Sequence, residues 1–243
     1  MKQLIIRNIK LRKTTLIVYG ILLLLLPIYV WINSGAYKAI NESQSQLSRL
    51  AIPIDIFIII FSLLFTAAMT ILIIKDAGHA FRFHSKLGDN KVYHFFASLP
   101  VSKKDMLNAN YITVLLFTFI GAAIFGLYNV IGNQDNVTSQ FTNSILLYIG
   151  INLFAVPLAF RQFTEKKSEK VSYIFYLITA FILIPIAISV IQLGIYVLYI
   201  FFGNGDALGI NIYIDNAYLP YAYLIIGGLS FIINYFIQYR KLK

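Results

Sequence analysis

Long apolar runs alternate with short polar segments along the whole chain. Six runs, at about 16–32, 52–74, 106–131, 144–160, 171–192 and 218–239, read as membrane-crossing helices. A helix of roughly 20 apolar residues crosses a hydrocarbon core about 30 Å thick. The uncharged stretch 171–202 is too long for one upright span, since it would make roughly 48 Å of helix. Pro185 and Gly194 offer breaks, so the fifth span is placed at 171–192 and a second apolar piece follows it. The segments 33–50, 132–143 and 203–216 read as polar or turn-rich loops, and 161–170 as a charged one. Ahead of the first run, Lys2, Arg7, Lys10, Arg12 and Lys13 interleave with Leu4, Ile5, Ile6, Ile9 and Leu11. That pattern over 1–15 suits an interfacial amphipathic helix, or a plain basic flank that orients the first span. The predicted fold is an all-α polytopic membrane protein, with a single transmembrane domain over 1–243 and six spans.

The longest interruption between apolar runs is 75–105, and it contains all three histidines. Gly88, Asp89 and Asn90 form a turn with N-cap chemistry. Val92, Phe95, Phe96 and Leu99 follow at helical spacing, which lines one face with apolar groups. Lys91, His94 and Ser98 fall largely on the other side. Pro100 ends this short helix. Ser102-Lys103-Lys104-Asp105 then reads as a Ser-x-x-Asp capping box that starts the third span. An amphipathic helix carrying two Phe residues must cover its apolar face, either in lipid headgroups or in a groove on another protein.

Charge orients the chain. Of 20 Lys and Arg residues, all but Lys38 and Arg49 lie in the N-terminal segment, in 75–106, in 161–170 or after the last run. Cytoplasmic loops collect such residues, so both termini and the 75–105 loop are expected on the cytoplasmic side, which requires an even number of spans. The net charge of +10 therefore sorts topology and does not mark a nucleic-acid surface. With 59% hydrophobic and 12% charged residues, the chain departs far from a soluble domain, which carries about 25% charged residues.

Chemistry is sparse. Asp55 is the only acid in an assigned span, and no histidine lies in one. That disfavours an intramembrane enzyme or a proton-driven carrier. Asn152, Gln192 and Asn234 suit bonds between helices. His79, His84 and His94 do not place three ligands on one helical face. Asp76 with His79 is at most a two-ligand pair, and solvated loop histidines are the default reading, so no metal site is expected. No phosphate-loop motif and no cysteine occur.

Ser98-Leu99-Pro100-Val101-Ser102-Lys103-Lys104, followed by an apolar helix containing Tyr111, resembles the loop after the second span of ABC-2 type transporter permeases. That family often shows a Gly, a short amphipathic helix, Leu-Pro-Val/Ile-Ser and then a basic residue. Lys103 stands where Arg is frequent, and Asn110 where a Lys often precedes the aromatic residue. The strict motif covers a small part of the chain, and the order and length of the spans extend the likeness to most of it. The resemblance implies that the short helix is a coupling helix seated in a groove of a separate ATPase. Its contact residues would be Asp89, Asn90, Val92, Tyr93, Phe95, Phe96, Leu99, Pro100, Ser102 and Lys103. It also implies two ATPase subunits that carry the ATP and Mg, and a second permease chain, identical or different. The chain itself would bind no cofactor and have no ATPase site. The expected role is export across the bacterial cell membrane of amphipathic or antimicrobial peptides, or of a hydrophobic compound, by alternating access. The alternative is a membrane scaffold or sensor that transports nothing.

Overall fold

A computed structural model describes residues 1–43, 52–76, 78–82, 101–130, 137–160, 171–202 and 218–242. They are almost wholly helical: α1 (Lys2–Leu11), α2 (Lys13–Ser43), α3 (Ile52–Asp76), α4 (Lys103–Val130), α5 (Val137–Ala159), α6 (Tyr173–Ile178), a π-helical turn (Thr179–Leu183), α7 (Ile184–Phe202) and α8 (Tyr218–Lys241). Five stretches are long and apolar enough to cross a membrane: Lys13–Ala36, Lys103–Asn129, Ser139–Ala159, Tyr173–Gly194 and Tyr218–Lys241. α3 adds a shorter one, Ile56–Met69. Large apolar side chains point outward on these helices; Leu24 is 78% exposed and Trp31 74%. This is the surface of a multi-pass membrane protein, in which lipid, not water, covers the outside.

The helices overrun the apolar runs that mark them. The segment 33–50, read as a polar loop, continues α2 as far as Ser43, and the loop 132–143 gives way to α5 from Val137. Polar residues near the end of α2 bond inward to their own helix: the Asn33 side chain donates to the Tyr29 carbonyl at 2.9 Å, and the Ser34 hydroxyl to the Trp31 carbonyl at 2.9 Å. Hydropathy detects the part that can sit in lipid, not the point where helical hydrogen bonding stops.

Two clusters of buried side chains hold the bundle. One joins α4, α5, α6 and α8 around Tyr111, Val156, Phe160 and Tyr176, and takes in Ala80 and Phe81. The other joins α2, α3 and α4 around Tyr19, Met69, Phe117 and Tyr128. α5 lies against both α4 and α8. Small residues allow this closeness. A Cβ on Gly150 would land on the α8 backbone at Tyr223 and Leu224, and a Cβ on Gly227 would land on the backbone of Gly150. The two helices therefore touch main chain to main chain, the contact that small residues make available where no water drives association. Ala122 and Gly126, small residues four positions apart on α4, are also buried, and a Cβ on Gly126 would meet Phe141 and Ile145 of α5.

The long uncharged stretch bends its hydrogen bonding without ending its helix. The Ile184 N–H bonds to the Thr179 carbonyl, five residues back. In that wider register the next donor belongs to position 185, and Pro185 has none. The Ala180 carbonyl is instead met by the Tyr223 hydroxyl of α8. Pro185 thus shifts the register but does not stop the helix, which runs on to Phe202.

Substitution at the α5–α8 contact should separate the helices. Gly227→Val should lower stability by about 1–3 kcal/mol through overpacking. Gly228→Ala, which meets nothing within 4 Å, should be neutral or stabilising by up to about 1 kcal/mol. Thermal unfolding of the detergent-solubilised variants measures both.

Candidate functional site

The root of the 75–105 loop is the most polar place in the described interior. α3 ends at Asp76, and the chain turns at Gly78 into a helical segment that is described from His79 to Arg82. Gly78 has φ +71°, and a Cβ there would strike the Tyr176 ring. Both facts demand glycine. Its N–H donates to Asn152 Oδ1 on α5 at 2.9 Å. The segment is thereby pinned inside the bundle and does not hang from its edge.

Asp76 is 6% exposed. Its Oδ2 accepts from the Tyr19 hydroxyl of α2 at 2.6 Å and from the Tyr148 hydroxyl of α5 at 2.8 Å. Its Oδ1 lies 3.6 Å from the half-exposed guanidinium of Arg82. One carboxylate therefore ties together α2, the end of α3, α5 and the start of the loop. Charge-assisted bonds of this kind are about twice as strong as neutral ones.

Beside it, Arg12 fills the break between α1 and α2. The side chain is 1% exposed, its guanidinium sits 4.2 Å over the Phe117 ring of α4, and neither terminal nitrogen has a hydrogen-bond partner among the described residues. Burial pulls its pKa down, partly offset by the oxygens of Tyr19 and by Asp76. Arginine is difficult enough to deprotonate that the charge stays, held by the ring face and the nearby carboxylate.

His79 is fully buried against α4. Its Nε2 lies 3.3 Å from the Val114 carbonyl and 3.0 Å from the Thr118 hydroxyl. A carbonyl can only accept, so the geometry assigns the proton to Nε2. Burial first, and the Arg12 charge second, push its pKa down to about 3, which leaves the ring neutral at physiological pH. The sequence reading of the histidines as solvated loop residues fails at His79. The helical turn after Gly78 folds it into the bundle. Nor do Asp76 and His79 act as a ligand pair: the carboxylate is engaged by two tyrosines and Arg82, the imidazole by α4. Among the described residues no group of three His, Asp or Glu side chains could hold a metal.

A second polar run continues along α1. Asn8 donates to Asn110 Oδ1 at 2.8 Å, with the Thr113 hydroxyl at 3.4 Å, and Arg7 donates to Asn8 Oδ1 at 2.9 Å. α1 therefore lays its polar side on α4.

Of the sequence-predicted contact residues, Asp89, Asn90, Val92, Tyr93, Phe95, Phe96, Leu99 and Pro100 lie outside the described residues. Ser102 and Lys103 are described, and both are exposed. Ser102 starts α4, its hydroxyl accepting from the Lys104 N–H at 3.2 Å. The Asp76 cluster itself was missed. Arg12 and Asp76 each stand just outside an apolar run, where a charged residue ordinarily reads as a solvated flank, and nothing in one sequence pairs them.

Residues 3–243 match the family model described as ABC-2 family transporter protein. The chain belongs to that family. No curated protein and no solved structure matches it. Members of this family are the membrane-spanning subunits of ABC transporters and typically catalyse nothing themselves. In this ABC-2 permease the Asp76 cluster joins α2, α3 and α5 at the root of the loop.

Asp76→Leu should leave two buried tyrosine hydroxyls without their acceptor and the buried Arg12 charge without its nearby carboxylate, at a cost of about 3–5 kcal/mol. Asp76→Asn keeps an acceptor and loses the charge, and should cost about 1–3 kcal/mol. The order wild type, Asn, Leu should appear in thermal unfolding of inserted, purified protein; a Leu variant as stable as wild type would show that the carboxylate ties nothing.

Proposed function

We propose that this chain is the permease of an ATP-driven exporter with six spans and both termini in the cytoplasm, working as a dimer with two ATPase subunits. α3 supplies the sixth span in this reading, since its 25 residues make roughly 37 Å of helix. The exported substrates are amphipathic or antimicrobial peptides. The observation that carries the reading is the family match over 3–243.

The loop's anchoring supports a coupling role for 88–99. One end of the loop is held by Gly78 on α5, His79 on α4 and Phe81 against Tyr173 and Tyr176, at ring distances of 5.6 and 5.1 Å. The other end begins α4 at Lys103. A force on the intervening segment has no slack to take up at its roots. It passes into α4 and α5, and through Asp76 into α2 and α3. ATP-driven closure of the partner would move the spans by this route, and the dense packing of the bundle favours discrete inward and outward arrangements over continuous deformation.

Docking of the short helix is tested by Phe95→Ala/Phe96→Ala. Each buried aromatic contributes roughly 1.5–3 kcal/mol, so the pair should weaken association with the ATPase by several kcal/mol. Lys91→Ala, off the apolar face, should change it by no more than about 1 kcal/mol. Co-purification of the ATPase with correctly inserted protein reads the result, and wild-type stoichiometry with wild-type transport in the double variant would sink the docking role.

Topology is tested with single cysteines, since the native chain has none. Cysteines at His84 and Glu165 should be shielded from an impermeant reagent in intact cells, while those at Gln44, Asp135 and Asp206 react. The reverse pattern would invert the orientation.

A further inference from the structure

α4 and α8 run antiparallel with a ladder of contacts between them. Lys104 sits 5.2 Å over the Tyr239 ring. One turn along, the Tyr235 hydroxyl donates to Asn108 Oδ1 at 3.0 Å. A further turn along, Asn234 donates to the Tyr111 hydroxyl at 2.9 Å, and the Tyr111 ring packs on Phe231 at 4.9 Å. Outside this ladder lies a groove of about 550 Å³, whose walls run from Asn108 to Leu115 on α4 and from Phe231 to Phe236 on α8, with Met1 of the N-terminal segment also lining it. Its walls are apolar, and Ile112, Ile232 and Phe236 are exposed on the lipid-facing side.

Length, volume and charge together select an occupant. From Asn108 to Leu115 the groove covers roughly 10 Å of α4, and Lys104 lies one turn beyond it, so cation and groove together extend over roughly 16 Å, about half of a 30 Å hydrocarbon core, which is one leaflet. A helix about 10 Å across would fill roughly 800 Å³ over the groove's length, more than the groove holds, so a neighbouring span cannot sink fully into it and a single extended chain can. Lys103, Lys104, Arg240 and Lys241 gather at one end, where α4 begins and α8 finishes. Lys104 stacked on Tyr239 holds the cations of the two helices together. Basic clusters between spans at the membrane surface attract anionic headgroups.

We propose that the α4–α8 groove is a binding site for one anionic phospholipid, with an acyl chain along Ile112, Leu115 and Ile232 and the phosphate among Lys104, Arg240 and Lys241. The site depends only on α4 and α8 being spans. It would stand whether or not the exporter reading does.

The test is native mass spectrometry of the full-length chain in detergent, titrated with phosphatidylglycerol or with phosphatidylcholine of the same acyl chains. One phosphatidylglycerol should be retained per chain, in preference to phosphatidylcholine. Each cation near an anionic surface strengthens attraction about fivefold, so Lys104→Gln/Arg240→Gln should weaken retention about twenty-five-fold. Lys10→Gln/Lys75→Gln, which removes two exposed cations elsewhere, should leave it intact. Ile112→Trp fills the groove and should abolish retention with all cations present, and Ile232→Trp repeats this from the opposite wall should the first variant not fold. Equal retention of the two lipids overturns the proposal. So does loss with the charge variant but not with the tryptophans, which is headgroup attraction without a groove. Loss with the tryptophans but not with the charge variant overturns it as well, since the occupant is then merely apolar. A tryptophan variant that loses a dimer mass and keeps its lipid assigns the groove to a second copy and overturns it too.

Discussion

A buried carboxylate is the constraint from which the packing of this bundle follows. Asp76 could not remain in the interior unless its oxygens were met, because an uncompensated buried charge costs several kcal/mol. Tyr19 and Tyr148 meet them, and those tyrosines belong to α2 and α5, helices that are not consecutive in the chain. Satisfying one residue therefore fixes the position of four elements at once: α2, the last turn of α3, α5 and the turn at Gly78. Arg12 fits the same logic from the opposite sign, its buried guanidinium being tolerable only because Phe117 and the nearby carboxylate share its field.

Elsewhere the bundle is held by contacts suited to a protein whose outside is as apolar as its inside. Burying leucine gains little when lipid is the alternative, so close approach and directed bonds do the selecting. Gly150 against Gly227 gives van der Waals contact between main chains. Tyr223 satisfies the carbonyl that Pro185 leaves open, so that one tyrosine both repairs the π-helical turn and pins α8 to it. Tyr128 does a similar service in the other half of the bundle by donating to the Leu22 carbonyl of α2. The polar side chains that cross between helices are mostly tyrosine and asparagine. These can reach a neighbouring backbone without carrying a charge into the membrane.

The same economy accounts for the division of labour along the chain. Charged residues gather at helix ends, where they can face headgroups or a protein partner, and the described interior holds a charged cluster at the root of the longest loop. The root of that loop is connected directly to the packed helices. Gly78, His79 and Phe81 form that connection with three different elements.

Much of this was legible in the residues alone. Apolar run length picked out the five stretches that are long and apolar enough to cross a membrane among the described residues, because crossing a hydrocarbon core is a condition on composition that any single run meets or fails by itself. The family likeness was likewise written in a local pattern, Leu99-Pro100-Val101-Ser102-Lys103, beside a Phe-bearing amphipathic segment. What the residues could not reveal were the relations between runs. Asp76 looked like a solvated flank and His79 like a loop residue. Their burial depends on Tyr19, Tyr148 and Thr118, which lie between 39 and 72 positions away. The polar tail of α2 looked like a loop because hydropathy registers transfer into lipid and is blind to backbone hydrogen bonding. Gly150 and Gly227 carried no mark that they face each other, and Pro185 read as a break because its lost donor is replaced only by a tyrosine from another helix. Length and apolarity are properties of one segment, and the sequence determined them. Which polar groups would find each other across the bundle is a property of pairs, and only the tertiary structure decided it.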